Sequence, residues 1–173
     1  MLVFETPRIS VRRLDITDAD ALHTICGDAE VMKFVGNLQP YTMPQTRQAI
    51  LKCLKSYGWN GWGGWALCDK ISGKMFGYGG FEWVEQRSMP ELFYILDAQH
   101  WGKGFASEFA KAALLYAKAE LKLNQLGASF DPANKASMHV ASKAGFTFSH
   151  EGLDEFNLPT IYYSLKLNDL VFE

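Results

Sequence analysis

The fold of this chain is decided by the stretch Glu91-Leu92-Phe93-Tyr94-Ile95-Leu96-Asp97-Ala98-Gln99-His100-Trp101-Gly102-Lys103-Gly104. Its first six residues are apolar except for Glu91 and include aromatic and β-branched side chains, which predicts a buried strand ending at Leu96. From Gly104 to Lys122 the apolar residues recur at steps of three and four, which predicts a helix. Two glycines let the connecting backbone turn tightly, so that its N–H groups face one point beside the positive end of the helix dipole. Such a point favours a bound phosphate, to which Lys103 adds a positive charge.

The glycine spacing alone leaves a second interpretation open, in which Gly102 and Gly104 only make a tight turn. The loop lacks the GxxxxGK[ST] pattern of nucleoside-triphosphate sites and the third glycine of dinucleotide-binding turns, so both ligand classes are disfavoured. The strand before the loop and the helix after it favour an anion site over a purely structural turn.

The rest of the sequence contains further strand and helix patterns. Strand patterns are found at 8–14, 75–84, 126–130, 146–148 and 161–167, and the segment 61–68 runs from a glycine-rich turn into a strand. Helix patterns follow the cap at Thr17 and run from Met43 to Gly58 and from Ser137 to Lys143. The turn at 71–74 predicts that its two flanking strands are antiparallel. The sequence contains no low-complexity tract or linker, so residues 1–173 are predicted to form one domain.

Composition and charge disfavour several classes of protein. Seventeen basic and nineteen acidic residues give a net charge of −2, which predicts neither nucleic acid nor membrane as a partner. The sequence has no signal-peptide pattern and no apolar run of membrane-spanning length. Cys26, Cys53 and Cys68 are odd in number and far apart, which predicts reduced thiols, a cytoplasmic protein and no metal site.

Two separate motifs resemble one known family. Gln99-x-x-Gly102-x-Gly104 matches the Gln/Arg-x-x-Gly-x-Gly/Ala signature of the GNAT N-acetyltransferases, and Asn134-x-x-Ser137 with Lys143-Ala144-Gly145-Phe146 is similar to the second half of that family's CoA site. With Thr6-Pro7-Arg8-Ile9, the stretch 91–108 resembles the branch that contains ribosomal-protein N-terminal acetyltransferases of the RimJ/RimL type. The resemblance implies an α+β fold, the three-layer α/β GNAT fold, with a mixed, largely antiparallel central sheet of about seven strands and helices on both faces.

The resemblance also implies acetyl-CoA as co-substrate and no metal. In this family the strand before the signature loop carries a bulge and parts from the next strand, and pantetheine lies in the gap. A backbone N–H, here of Ile95 or Leu96, holds the thioester carbonyl and the oxyanion that forms as an amine attacks. The implied CoA-binding residues are Ile95, Leu96, Gln99, His100, Trp101, Gly102, Lys103, Gly104, Phe105, Ala106, Asn134 and Ser137. Asn134 fits a helix cap equally well, and His100 fits a hydrogen-bonding group of the loop better than a catalytic base.

The catalytic residues are less clearly marked than the CoA-binding loop. Many family members have a Tyr four residues before the glycine of the Lys-x-Gly-Phe segment, which protonates the departing thiolate, but this chain has Ala141 there. Ser137 is the candidate substitute for that acid, and Leu96 is the candidate donor of the oxyanion N–H. Glu82 and Glu91 are the candidate general bases, because strand alternation can point either carboxylate to the cleft or to solvent.

The acceptor that the resemblance implies is a primary amine, either a protein N-terminal α-amine or a small molecule, which attacks acetyl-CoA directly. Trp59, Trp62 and Trp65 fit an acceptor wall, a hydrophobic lid or a dimer contact, so a homodimer is a further expectation. Ala141 favours one alternative function, a non-catalytic CoA-binding sensor or scaffold. Another alternative is a nucleotide-binding α/β protein of unrelated type.

Overall fold

The structure, a computed structural model, describes residues 1–170, which are built around one sheet of eight strands. The strands are β1 (Leu2–Glu5), β2 (Ile9–Arg13), β3 (Gly64–Asp69), β4 (Met75–Val84), β5 (Met89–Leu96), β6 (Gln125–Phe130), β7 (Thr147–Leu153) and β8 (Pro159–Lys166). The helices are α1 (Ala19–Cys26), α2 (Ala29–Met32), α3 (Met43–Trp59), α4 (Phe105–Ala119) and α5 (Lys135–Lys143). The strands lie in the order β1-β2-β3-β4-β5-β6-β8-β7. Neighbouring strands are antiparallel except β5 and β6, which are parallel.

Helices cover both faces of this sheet. Adjacent residues of a strand point to opposite faces, and two neighbours in β4 show what each face contacts. The Tyr78 hydroxyl lies 3.2 Å from the Cys53 Sγ of α3. On the other face, a Cβ added to Gly79 would lie 2.9 Å from the Phe109 ring of α4, so only glycine permits this close approach. The predicted α+β fold with a mixed sheet and helices on both faces is confirmed.

The sheet has eight strands rather than the seven predicted. The additional strand is β1, which pairs with β2 but has only four residues, too few to show an alternating pattern. The four-residue helix α2 was missed for the same reason. Strand β7 continues to Leu153 instead of ending at 148, and every residue of it is exposed, so no buried face imposes an apolar pattern on its sequence. The single-domain organisation stays a prediction.

The parallel strands β5 and β6 separate along their length. Their register contains one residue pair, Glu91 with Gly127. Strand β5 stays paired with β4 residue for residue from Met89 to Leu96, so the bulge expected in β5 is wrong. Irregular registers lie instead between β1 and β2, between β3 and β4, and between β7 and β8. The separation opens a gap in the middle of the sheet, next to the carboxyl end of β5.

We expect the substitution Gly80→Ala in β4 to destabilise the protein. A Cβ at this position would lie 2.1 Å from the Gly63 carbonyl oxygen and 2.9 Å from the Gly64 Cα, and backbone atoms cannot easily move aside. The expected loss of unfolding free energy is about 1–3 kcal/mol, the usual cost of overpacking, measured by urea denaturation. Gly58→Ala in α3 is the control, because nothing lies within 4 Å of its added Cβ. This control should raise the unfolding free energy by about 0.5–1 kcal/mol, and equal losses in both variants would contradict the packing explanation.

Candidate active site

The turn between β5 and α4 has the geometry that its two glycines predict. Gly102 and Gly104 both adopt left-handed backbone conformations, with φ of 68° and 82°. Gly104 is also the N-cap of α4, and it has no side chain to accept hydrogen bonds from the first N–H groups of the helix. The other predicted residues of this segment are Gln99 and Lys103, both exposed, and Phe105 and Ala106, both half-buried. The helix N–H groups and the helix dipole are therefore oriented to receive an anion.

Side chains of this loop fix it to the end of β5. The Trp101 indole N–H donates to the Leu96 carbonyl oxygen at 2.9 Å. The His100 Nδ1 lies 2.5 Å from the Asp97 carboxylate, and the His100 ring stacks on Phe76 with centroids 4.3 Å apart. These contacts support the interpretation of His100 as a hydrogen-bonding group of the loop.

A clamp formed by the connection between β1 and β2 holds the start of α4. Glu108, in the first turn of the helix, accepts hydrogen bonds from the Thr6 hydroxyl at 2.6 Å, the Arg8 backbone N–H at 2.9 Å and the Arg8 Nε at 2.6 Å. Arg8 Nη1 donates to the Lys103 carbonyl oxygen at 3.0 Å, and the guanidinium lies 4.1 Å from the centre of the Phe105 ring. Burial raises the pKa of Glu108, but these hydrogen bonds outweigh burial and leave that pKa below its usual value. The clamp therefore contains an ionised carboxylate.

The backbone of β5 directs N–H groups into the gap between β5 and β6. The Asp97 N–H donates to the Phe76 carbonyl oxygen on the β4 side at 2.9 Å. Because backbone direction alternates along a strand, the Ile95 N–H faces β4 and the Leu96 N–H faces the gap. The Tyr94 N–H points into the gap in the same direction as the Leu96 N–H. Both residues lie beyond Glu91, the residue of β5 that pairs with β6. Of the two residues considered as oxyanion donors, Leu96 has the suitable orientation.

Helix α5 begins across the gap with Asn134 and Ser137. The Asn134 side chain caps the helix, because its Oδ1 accepts a hydrogen bond from the Ser137 N–H at 3.2 Å. The cap interpretation of Asn134 is confirmed, and the NH₂ group of the same side chain takes no part in this bond. Ser137 is half-buried, and Ala141, at the position of the family's tyrosine, is buried. The start of α5 thus offers an amide and a hydroxyl to the gap.

Glu91 lies at the root of the gap in a buried ion pair. Its Oε1 is 2.5 Å from the Arg87 Nη1, and the two side chains are 8% and 7% exposed. Its Oε2 accepts a hydrogen bond from the Ser129 Oγ at 2.7 Å. Arg87 Nη2 also donates to the Tyr163 carbonyl oxygen at 3.0 Å. The alternative interpretation, in which Glu91 points from the strand into solvent, is therefore wrong.

Glu82, the other candidate base, forms an ion pair at the surface. Its partner is Lys52 of α3, and the Glu82 side chain is 45% exposed. Glu82 lies opposite Glu91 in the β4–β5 register, so both carboxylates lie on the face that α3 covers. The two candidate bases therefore lie on the same face of the sheet, but Glu91 is buried and Glu82 is exposed.

A pocket of about 100 Å³, here called the acidic pocket, opens beside Ser129. It is lined by residues of the segment 34–38, by the end of β6 and by the turn between β7 and β8. Its ionisable side chains are the carboxylates of Asp131 and Asp154, which attract a cation. The pocket therefore suits a positively charged group placed close to the Ser129 hydroxyl.

The three tryptophans considered for the acceptor side occupy different environments. Trp62 and Trp65 are buried, and their rings meet the Phe81 ring edge to face with centroids 6.2 and 5.4 Å apart. Trp59, at the end of α3, is 90% exposed. The acceptor-wall interpretation is wrong for Trp62 and Trp65, which are core residues.

The described residues do not suggest a metal centre or a membrane anchor. Residues 1–170 contain no group of three or more His, Cys, Asp or Glu side chains that could hold a metal ion. No helix within the same range is long and apolar enough to cross a membrane. Cys26, Cys53 and Cys68 are buried free thiols, and burial raises the pKa of Cys26 to about 12. Cys26 is therefore a protonated, apolar residue of the core at neutral pH.

The fold and the site define a class of protein, an α+β protein whose central sheet opens beside a helix N-terminus with the geometry of an anion site. A sequence profile described as an acetyltransferase (GNAT) domain matches residues 8–147. The chain belongs to this GNAT acetyltransferase family, and it is an acetyltransferase.

Several relatives from Bacillus species match most of the chain, among them the following two. YkkB of Bacillus subtilis (strain 168), an uncharacterized protein, is 30% identical over 164 residues, which cover 93% of this chain and 94% of that protein. The uncharacterized N-acetyltransferase p20 of Bacillus licheniformis is 29% identical over 150 residues, which cover 86% of this chain and 83% of that protein. The similarity therefore includes both strands that border the gap and both helices that follow them.

Solved structures share the same fold. A GNAT-family acetyltransferase from Bacillus anthracis has a TM-score of 0.81 at 22% identity, over 98% of this chain and 100% of that one. Ribosomal-protein-S5-alanine acetyltransferase from Vibrio fischeri has a TM-score of 0.78 at 18% identity, over 96% and 97% of the two chains. Spermidine N-acetyltransferase from Vibrio cholerae, in complex with CoA and spermine, has a TM-score of 0.77 at 18% identity, over 94% and 98%. The resemblance to GNAT enzymes, with ribosomal-protein acetyltransferases among the structural neighbours, is confirmed.

Sequence reasoning missed several residues of the site. The clamp joins Arg8 to Glu108 across 100 residues of sequence, and no local sequence pattern predicts such a contact. Ser129 could have been identified from the sequence, because it is a polar residue within an otherwise apolar strand pattern.

We expect Glu108→Gln to reduce the unfolding free energy by about 1–3 kcal/mol at neutral pH, the usual worth of hydrogen bonds to a charged group. Because the folded-state pKa of Glu108 is lowered, its contribution is fully present above the unfolded-state pKa and is lost as pH falls through the folded-state pKa. The difference between wild type and variant in urea denaturation should therefore shrink below pH 4.5, the ordinary pKa of the group. Glu120→Gln, an exposed carboxylate at the other end of α4, is the control. A difference that stays constant at acid pH would refute the role of ionised Glu108.

Proposed function

We propose that the protein transfers the acetyl group of acetyl-CoA to the nitrogen of a primary amine by direct attack. The observation that carries this proposal is the gap between β5 and β6, which leads to the turn at Gly102 and Gly104. CoA has a sulfur at one end of its pantetheine arm and a pyrophosphate at the other. The gap suits the arm and the sulfur, and the turn suits the pyrophosphate. The Vibrio cholerae structure in complex with CoA supports the same co-substrate for a protein of this fold.

The residues present fit acetyl-CoA as the co-substrate. Backbone N–H groups from Gly102 to Ala106, without a side-chain cap on α4, would bind the pyrophosphate, with Lys103 adding charge. The expectation that the His100 and Trp101 N–H groups also take part is wrong, because they donate within the loop to Asp97 and Ala98. The NH₂ group of Asn134 would hydrogen-bond the pantetheine arm. The Leu96 N–H, which faces the gap, would hold the thioester carbonyl oxygen as negative charge develops there. Acetyl-CoA supplies the activated acetyl group, and these residues orient it.

We place the amine in the acidic pocket. Both acceptor types, a protein N-terminal α-amine and a small-molecule amine, carry an ammonium charge at neutral pH and are attracted by Asp131 and Asp154. The structural neighbours include one enzyme named for each type, a ribosomal-protein-S5-alanine acetyltransferase and a spermidine N-acetyltransferase. The pocket therefore supports a cationic amine as the acceptor class.

Glu91 is the general base in this proposal, and it acts through Ser129. An ammonium group must lose a proton before its nitrogen can attack. The Ser129 hydroxyl lines the acidic pocket and donates to the Glu91 Oε2 at 2.7 Å. A proton taken from the amine by Ser129 can pass to Glu91 as the Ser129 proton moves along this hydrogen bond. Glu82 is an ion-paired surface group that contributes negative charge to the same face.

The proposal also includes the expected localisation, partners, oligomeric state and domain organisation. The buried free thiols support a cytoplasmic protein, and the net charge of −2 supports a partner other than nucleic acid or membrane. A homodimer is supported by the sheet edge at β7, where Phe148 and Leu153 are 58% and 62% exposed. One domain spanning residues 1–173 is supported by the continuous eight-stranded sheet.

One observation favours a second function, a CoA-binding sensor or scaffold without catalysis. Ala141 has no group that could protonate a thiolate, where the family commonly has a tyrosine. Purified protein mixed with acetyl-CoA and a panel of amines and peptides distinguishes the two functions by release of free thiol. Turnover with any acceptor rules out the sensor, whereas binding of CoA without turnover of any acceptor in the panel would favour it.

We expect Gly102→Val to weaken CoA binding at least tenfold in calorimetry. The valine side chain strains a residue at φ of 68° and crowds the N–H groups that face the pyrophosphate. Gly73→Val is the matched control, because Gly73 has φ of 71° and, like Gly102, nothing within 4 Å of an added Cβ. It lies in the hairpin turn between β3 and β4, away from the site. Equal affinities of the two variants would place the pyrophosphate elsewhere.

We expect Ser129→Ala to lower kcat about 100-fold, the smaller end of the usual contribution of general-base catalysis, with CoA affinity unchanged. The loss should diminish at high pH, where the free amine forms without the protein. Ser142→Ala, an exposed serine of α5, is the control. The measurement is a pH–rate profile of thiol release. A kcat equal to that of wild type at neutral pH would remove Ser129 from the proton path.

A further inference from the structure

Two walls of the acidic pocket come from different parts of the chain. The segment 34–38, which follows α2, forms one wall, and the turn between β7 and β8 with the start of β8 forms the other. These walls meet at Gly36 and Phe156, because a Cβ added to Gly36 would lie 3.8 Å from the Phe156 Cε2. Phe156 is 46% exposed, so its ring lies at the rim of the pocket and not in the core. We call Gly36 and Phe156 the rim pair.

Backbone hydrogen bonds hold Phe156 in place. The Asp154 Oδ1 accepts hydrogen bonds from the Phe156 N–H at 2.8 Å and from the Leu158 N–H at 2.9 Å. The Asp154 N–H donates to the Leu158 carbonyl oxygen at 3.0 Å and closes the turn. Asn157 has φ of 59°, a left-handed conformation that asparagine tolerates in turns. Phe156 therefore projects from a turn of fixed shape.

The opposite wall has an unusual backbone at Leu38. This residue lines the pocket and has φ of 64°, a conformation that is rare for a bulky side chain. Gly36, two residues before it, also has a positive φ, of 53°. The Leu38 N–H donates to the Val35 carbonyl oxygen at 2.9 Å, which holds this turn closed. Strained backbone of this kind is concentrated at ligand sites, so the shape of this wall points to a role in binding.

The size of the acidic pocket limits what part of an acceptor can enter it. Its volume is about 100 Å³, whereas sites that enclose a whole small molecule usually have about 300–1,000 Å³. The pocket therefore holds the amino group and the atoms next to it, and the rest of the acceptor passes the rim. Phe34, Leu38, Leu158 and Pro159 give the pocket apolar lining, which suits methylene groups beside an ammonium group.

We propose that Phe156 is a specificity-determining residue that restricts the acceptor to primary amines on an unbranched carbon, the class of small alkylamines. This inference rests on the proposed function, and it distinguishes between the two acceptor types that the acidic pocket attracts. The nitrogen of an alkylamine is carried by a CH₂ group, so a single chain leads out of the pocket beside the Phe156 ring. The α-carbon of a protein N-terminus other than glycine carries both a side chain and a carbonyl group. One of these two substituents collides with the rim pair.

Two isomeric amines test this restriction. 1-Aminobutane and 2-aminobutane have the same atoms and the same charge, and they differ in branching at the carbon next to nitrogen. Their kcat/KM values are measured with the full chain and acetyl-CoA by release of free thiol. One additional methylene group in a fitted site changes kcat/KM by about 10–200-fold, so wild type should favour 1-aminobutane by at least about tenfold. A dipeptide amide that begins with alanine should be acetylated no faster than 2-aminobutane.

Phe156→Ala should remove the preference by opening the rim. We expect kcat/KM for 2-aminobutane and for the dipeptide amide to rise at least about tenfold, with less than about a twofold change for 1-aminobutane. The affinity for CoA in calorimetry should equal that of wild type. Phe156→Trp keeps a ring at the rim and should retain the preference. Leu115→Ala is the control for loss of a partly exposed apolar side chain, because Leu115 is 44% exposed and lies on α4, outside the pocket.

The outcomes separate this inference from the function on which it rests. Wild-type protein that binds no CoA, or that acetylates no amine, would overturn both. Wild-type protein that acetylates 2-aminobutane or the dipeptide amide at least as well as 1-aminobutane would overturn only the restriction to unbranched amines. A preference that persists in Phe156→Ala would remove Phe156 from specificity. An equal loss of preference in Leu115→Ala would do the same, since it would show a general effect of losing an apolar surface group.

Discussion

The buried ion pair between Arg87 and Glu91 is the interaction on which the rest of the site depends. It lies where β5 and β6 make their single residue pair, and Gly127 of that pair leaves room for it. A Cβ on Gly127 would lie 2.4 Å from the Arg87 Nη1. Two charges removed from water are stable only when their remaining hydrogen-bonding positions are filled. Here Ser129 and the Tyr163 carbonyl oxygen fill them, so the pair ties β5, β6 and β8 together where the sheet begins to open.

This arrangement lets the sheet contain a gap while the strands on either side of the gap stay held in place. Unpaired backbone groups inside a sheet are costly unless a ligand or water satisfies them. In this protein, β5 keeps its full register with β4 on one side, so its geometry does not depend on β6. The N–H groups of Tyr94 and Leu96 are consequently held in fixed positions facing the gap. The unpaired backbone groups are confined to one edge of β5, and that edge is where a bound molecule can supply the missing hydrogen bonds.

The sequence was sufficient to predict the helices and strands that contribute a buried face to the core. It was insufficient to predict those that do not. Helix α4 was predictable because burial of one face imposes a period on its side chains, and strand β5 because it is a short apolar run with aromatic and β-branched residues. Strand β7 is exposed throughout, and β1 is four residues long, so neither shows a period. The glycine turn was readable because only glycine adopts its backbone conformation without strain. The partners of Glu91 were not, since they come from a segment before β5 and from β6, brought together only by the fold.

The turn between β5 and α4 shows why tertiary contacts matter as much as its two glycines. A flexible glycine loop would lose conformational freedom on binding an anion, and that loss would subtract from affinity. In this protein the loop is already fixed before any ligand arrives, by the indole of Trp101, by His100 on Phe76 and by the guanidinium of Arg8. Glu108 anchors Arg8 and lies in the first turn of the helix, where a negative charge also interacts favourably with the dipole. The glycines therefore set the shape of the turn, and the clamp from the other end of the sequence keeps that shape ordered.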